Sequence, residues 1–155
     1  MPPDPDDRYD LVHVRARPWA GERPRTAGLV DFEFEFQGES LTLEIARSRR
    51  RALERHGITV LIIPVRYREP ALSAGEARGR AEQAMRVDAV EDCSRRAGAP
   101  RLHAEHPMFF TFLAPDDAAE RAGGSPGRLI AVDRCDGHVW TEEETNAYFA
   151  LIGAR

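Results

Sequence analysis

The sequence predicts an α+β fold: a mostly antiparallel sheet with helices packed on one face. Three observations lead to it. Short alternating apolar runs recur along the chain, separated by Gly- and Pro-containing turns. Two capping-box signatures, Ser73 with Glu76 and Thr141 with Glu144, open helices. An Asp136-Gly137 pair between two apolar runs marks a hairpin with a type I′ turn. The order reads strands, short helix, strand, long helix, strand, short helix, hairpin, helix.

Residues 1–7 are acidic and Pro-rich and read as a disordered tail; residues 8–155 read as a single α+β domain. Leu11, Val12 and Val14 form the alternating core of a first strand over 9–17. The Pro and Gly of residues 18–28 make a loop. In GLVDFEFEFQGESLTLEIA, residues 28–46, Val30, Phe32, Phe34 and Phe36 share one face of a strand, as a core face, while Asp31, Glu33, Glu35 and Gln37 share the other. With Gly38-Glu39 as a two-residue turn, Phe36 would pair with Leu41, Phe34 with Leu43 and Phe32 with Ile45. That register sets Glu33 directly against Glu44.

A helix over 47–56 ends at Gly57. The run ITVLIIPV, residues 58–65, reads as a central strand covered on both faces, with Pro64 marking its end. A long helix runs from Ser73 toward Arg96. The aromatic strand MFFTFLA covers 108–114, Asp116 or Asp117 caps a short helix, and RLIAVDR, residues 128–134, is a strand that returns through His138, Val139 and Trp140. The last helix turns Tyr148, Leu151 and Ile152 inward and stops at Gly153.

Composition narrows the function. The formal net charge is −4, which gives no overall drive toward nucleic acid or an anionic membrane. All 22 basic residues are arginine, which removes Schiff-base and P-loop lysine chemistry. That bias, with abundant Ala, Gly and Pro, points to a bacterial genome of high GC content. Cys93 and Cys135 fit no disulfide framework or zinc knuckle and are expected as thiols in a reducing cytoplasm. No signal-peptide pattern and no run of about 20 apolar residues is present, so a cytoplasmic location is expected.

Four constellations are candidates for chemistry. The acidic face Glu33, Glu35 and Glu44 opposes like charges, which calls for a metal, arginine or a basic partner. Arg47, Arg50, Arg51 and Arg55 can form a basic helical face suited to phosphate, or an ion-paired surface beside the acidic strands. His103 and His106 would ligate zinc only if helical, and Pro107 biases His106 toward an extended backbone that sends the rings apart. Cys135 and His138, with Asp133 or Asp136, form a possible nucleophile cast around a tight turn. Trp19, Trp140, Phe110 and Tyr148 are candidate pocket residues or simply core.

Two resemblances add to this. An acidic residue on one strand, then Glu44-Ile45-Ala46 before a helix, resembles the core of PD-(D/E)xK nucleases. That likeness implies Asp31 and Glu44 as ligands of magnesium or manganese. The chain departs from the motif in having Ala46 where lysine belongs. Residues 108–152 are similar to the C-terminal half of small cystatin-like bacterial immunity proteins of polymorphic toxin systems, through Phe109, Phe110, Gly124, Pro126, Val132, Asp133, Gly137 and Tyr148. That likeness implies a small binding protein without catalysis.

The leading expectation is therefore a non-catalytic protein- or peptide-binding module, either immunity-like or an accessory that holds a precursor or leader peptide. It needs no cofactor. A basic partner would suit the acidic face, and a homodimer is a further option. Edge strands at 9–17 or 108–114 are candidate docking edges. A metal-dependent nuclease-like enzyme, or its inactive descendant, is the alternative.

Overall fold

The computed structural model describes residues 4, 6–16, 32–91, 99–114 and 128–153. The chain divides into two compact units, Pro2–Arg68 with Thr145–Arg155, and Glu69–Glu144. The class is α+β, as expected, but the described strands form two antiparallel sheets where the sequence suggested one. The expected helix after Asp116, together with Asp31, Trp19 and Cys93, lies outside the described residues.

In the first unit β1 (Tyr9–Ala16) is the central strand, flanked by β2 (Phe32–Phe36) and β3 (Val60–Pro64). Val12, Val14 and Ala16 stand opposite Phe36, Phe34 and Phe32; His13 and Arg15 stand opposite Glu35 and Glu33. The expected position of β3 at the sheet centre is corrected: it is an edge strand, although nearly all of it is buried. Burial of both faces comes from what packs above and below a strand, and α1 packs across β1 and β3. A one-turn 3-10 segment, Val65–Arg68, follows β3 and buries Tyr67.

The second arm of the expected hairpin is not a strand. Helix α1 spans Leu43–Arg55, opening four residues before its expected start. Thr42 is its N-cap, its side chain accepting from the Ile45 N–H at 3.5 Å. Leu43, Ala46 and Arg50 are buried at helical spacing, while Ile45 is exposed. Three alternating apolar residues cannot distinguish a strand from the first turn of a helix. Here the cap and the partner strand β1 decide it. Phe32 is 47% exposed and Phe34 and Phe36 are half-buried, so this face is that of an edge strand and not a sealed core. As expected, Gly57 ends α1 in a left-handed conformation, φ +76°.

Charged side chains brace this unit. Asp10, fully buried, accepts from the Gly38 N–H at 3.1 Å, the Glu39 N–H at 3.0 Å and Arg68 Nε at 2.8 Å. Arg68 also donates to the Glu39 carbonyl. Arg47 donates to the Leu151 carbonyl, and Arg50 to the Gly153 carbonyl at 2.7 Å. Both guanidiniums thus cap the C-terminal end of α3 (Glu142–Leu151), where unsatisfied carbonyls and the negative end of the helix dipole meet. Tyr148 of α3, buried, donates to the Ile62 carbonyl at 3.0 Å. Within the segment expected as a tail, the Asp7 N–H donates to the Asp4 carbonyl at 3.0 Å, and Asp7 pairs with Arg66 at 2.7 Å.

The second unit is a four-stranded sheet in the order β4 (Arg101–Glu105), β5 (Phe109–Ala114), β6 (Arg128–Asp133), β7 (Val139–Trp140). Helix α2 (Ala74–Glu91) lies on one face. Its Ala77 and Ala81 approach closely and seal Phe110, Phe112, Ile130 and Val132. Each such large apolar side chain contributes about 2 kcal/mol by leaving water. Ser73 and Glu76 form the expected capping box, the Ser73 N–H donating to Glu76 at 2.8 Å. The expectation that 108–114 is an edge is corrected: β5 is interior, paired with β4 and β6. The strand RLHAE escaped notice because two prolines bracket it and its alternation is weak.

Candidate functional site

Among the described residues, two places gather charged groups of interest with accessible surface. The first is the acidic face of β2. Glu33 lies across from Arg15, and Arg15 Nη2 reaches Glu35 Oε2 at 3.0 Å, with both side chains more than half exposed. The expected opposition of Glu33 to Glu44 does not form: Glu44 stands exposed in the first turn of α1, where a carboxylate suits the helix dipole. The question posed by the acidic alternation therefore has an arginine in its answer, supplied by β1.

The expected basic face also divides. Arg47 and Arg50 turn inward to the end of α3, and only 8% of Arg50 is exposed. Arg51 Nε contacts the Arg47 carbonyl at 3.4 Å, and Arg55 is exposed in the last turn. The four do not present one phosphate-binding face, because two of them serve as caps. Arg49, outside that set, pairs with Glu39.

The second place is the β6–β7 hairpin. Its turn is not type I′: Gly137 has φ +77°, but no residue other than glycine among those described has positive φ. Asp133 shapes it instead. Fully buried, its Oδ1 accepts from the Cys135 N–H at 2.7 Å and the Asp136 N–H at 3.3 Å, and its Oδ2 accepts from Trp140 Nε1 at 2.9 Å. A Cβ on Gly137 would meet the end of the Leu72 side chain at 2.9 Å, which that flexible side chain can yield to, so it is the positive φ that favours glycine here.

Next to it, His138 Nδ1 lies 2.9 Å from Asp136 Oδ1, and its Nε2 lies 3.5 Å from Glu144 Oε2. Partial burial opposes the charge on Asp136, but the His138 N–H and ring hold its carboxyl well below the usual range. Glu144 is itself the partner in the expected capping box, accepting from the Thr141 N–H at 2.8 Å. Cys135 is half-buried and not in a disulfide.

An aromatic row continues from this cluster. His138 stacks over Trp140, with centroids 5.9 Å apart, and Trp140 meets Phe109 at 5.5 Å. Phe109 stacks on His106 at 4.3 Å. Burial, and then the nearby Arg134 charge, push His106 down to about 3, so its ring is neutral; Nδ1 accepts from the Met108 N–H at 3.2 Å. Arg134 lies over the Phe110 ring at 4.5 Å and donates to the His106 carbonyl at 3.1 Å. His103, exposed on β4, stands apart in an extended segment. Phe110 and Trp140 belong to adjacent rows of the sheet and so to opposite faces; they line no common pocket.

Asp133, Asp136 and His138 each offer a ligand atom within 4.8 Å of the others, a set that suits a divalent cation. Their oxygens, however, already accept N–H bonds from Cys135, Asp136, His138 and Trp140. The arrangement is accounted for as a hydrogen-bonded turn. Sequence reasoning placed Asp133, Asp136 and His138 together but missed the Trp140 link. The available signal was an Asp at the last strand position before a polar turn, the Asx-turn position.

Set against protein-family models, curated proteins and solved structures, the chain matches none.

Proposed function

We propose that this chain is a non-catalytic protein- or peptide-binding module of a bacterial cytoplasm, acting as an immunity-like protein or as an accessory that holds a precursor or leader peptide. It takes its partner as an added strand on the outer edge of β2. A comparison of the strand edges supports this reading. Among the described residues the two sheets end in four edge strands. β4 carries a register shift between Leu102 and Ala104, a bulge that spoils an edge for pairing. β7 is two residues long, and β3 ends in Pro64. β2 alone combines five residues, an unbroken register, no proline, and an apolar side chain 47% exposed at Phe32. Such an edge suits β-augmentation, in which main-chain bonds supply affinity and alternate side chains supply specificity. Among the described residues no helix is long and apolar enough to cross a membrane.

Parallel affinity purification from the native host tests it, with the wild-type chain and with the double charge reversal Glu33→Lys/Glu35→Lys. The expected result is a specific protein recovered only by the wild type and encoded beside a toxin or a peptide-biosynthesis gene. Equal recovery by both chains, or magnesium-dependent DNA cleavage lost on Glu44→Ala, would overturn the reading.

A further inference from the structure

We infer that α3 acts as a built-in cover on the outer edge of β3, and that loosening it lets β3 pair with β3 of a second copy of this chain. The inference is independent of strand addition at β2.

The hydrogen-bond alternation fixes which way β3 turns its backbone. The Val14 N–H donates to the Thr59 carbonyl at 3.1 Å, and the Val65 N–H to the Arg8 carbonyl at 2.8 Å. In an antiparallel ladder the bonded pairs recur at every second residue. Asp10 with Ile63 and Val12 with Leu61 are therefore bonded pairs, and Leu11 with Ile62 is not. The N–H and carbonyl of Ile62 thus point away from β1, as do those of Val60. Tyr148 reaches into that outward row and donates its hydroxyl to the Ile62 carbonyl at 3.0 Å. Only 1% of Tyr148 is exposed, and burial pushes its pKa up, so the hydroxyl remains a donor.

Residues 145–151 of α3 belong to the same compact unit as β3. Arg47 and Arg50 of α1 hold the end of that helix through the Leu151 and Gly153 carbonyls. The strand beneath has reason to be covered. VLIIP carries a valine, two isoleucines and no charge, and keeps an unbroken register with β1. A bare edge of that composition is a template for pairing with another chain, and a helix laid over it is one of the devices that prevent this.

The occupant best matched to a bared β3 is a second β3. Antiparallel pairing about a two-fold axis through Ile62 sets Ile62 against Ile62, Leu61 against Ile63 and Val60 against Pro64. Every facing pair is apolar, and no like charges meet. Pro64 withholds one donor at each end of the ladder but does not interrupt its middle.

Sedimentation velocity over a wide concentration range tests this on the full-length chain and on Tyr148→Phe/Arg50→Met, which removes the hydroxyl and one guanidinium cap. The expected result is that the double variant self-associates at a concentration at least about tenfold below that of the wild type. Adding Leu61→Lys, a charge at the half-buried position of β3, should suppress that association. Tyr148→Phe alone, which keeps the ring, should shift association in the same direction by less. A double variant that keeps the wild-type mass at every concentration would overturn the cover. Association left unchanged by Leu61→Lys would overturn pairing through β3. Where circular dichroism shows the double variant unfolded, Tyr148→Phe with and without Leu61→Lys decides by the same two criteria.

Discussion

Trp140 donates its indole N–H to Asp133 Oδ2 at 2.9 Å, in a place where Asp133 is fully buried and Trp140 nearly so. That one bond ties the last residue of β6 to the last residue of β7 across the turn between them. It lies on Oδ2, while Oδ1 accepts the turn's own Cys135 and Asp136 N–H groups. Trp140→Phe keeps most of the ring packing and leaves that oxygen with one donor fewer. The expected cost is about 1–3 kcal/mol, read from urea denaturation. An unchanged midpoint would show that the bond contributes nothing.

Arg50 offers a second measurement. Its guanidinium donates to the Gly153 carbonyl and lies close to Glu54, at 3.4 Å. Arg50→Met preserves the aliphatic stem and removes the cap. A loss of about 1–2 kcal/mol is expected, the scale of a charge at a partly buried helix C-terminus. In amide exchange the loss should fall first on α3.

Asp10 should be the more costly site. Asp10→Ala strands two N–H groups and Arg68 Nε around the space the carboxylate filled. A destabilisation of about 3–5 kcal/mol follows from leaving a hydrogen-bonded charge without its counterpart. Thermal melting of Asp10→Ala beside Arg68→Ala, with the double variant, separates the ion pair from the bonds to the loop.

Acid stability has a defined sign. His106 is pushed down from 6.5 to about 3, so between these values the unfolded chain binds a proton that the folded chain refuses. Stability from this group is fully present above pH 6.5 and is lost as pH falls toward 3. Asp136, also depressed, adds stability present above its ordinary value near 3.8 and lost in stronger acid. Denaturation across pH 7 to 4 should show a decline that is shallower in His106→Phe. The NMR signals of the His106 ring should not titrate near 6.5.

How much of this was legible in the sequence depends on the range of the interaction. Local signals carried through: Ser73 with Glu76, Thr141 with Glu144 and the glycine at position 57 specify helix ends within a few residues. Strand neighbours did not carry through. FEFEF pairs with a strand about twenty residues upstream, across a long connection, while the segment just downstream, with the right alternation, became a helix. Alternation names a face but not the strand beside it. The candidate site suffered in the same way. Glu33 and Glu35 share a face of β2 as the alternation implies, Glu44 lies in α1 and not on a strand, and Arg47 and Arg50 turn inward to a helix end about one hundred residues away that nothing local reveals.

On the proposed reading of β2 as a strand-accepting edge, the Asp10 clasp bears on how quickly a partner would be captured. It fixes Gly38 and Glu39, just past the end of β2, to the central strand and to Arg68. With its C-terminal end held in this way, the proposed edge would need little ordering on docking, and the ordering entropy would fall mostly on the incoming segment. A segment already extended when free would lodge faster and stay longer than an equally charged flexible one. Selectivity would then follow from the stiffness of the visitor as much as from its sequence.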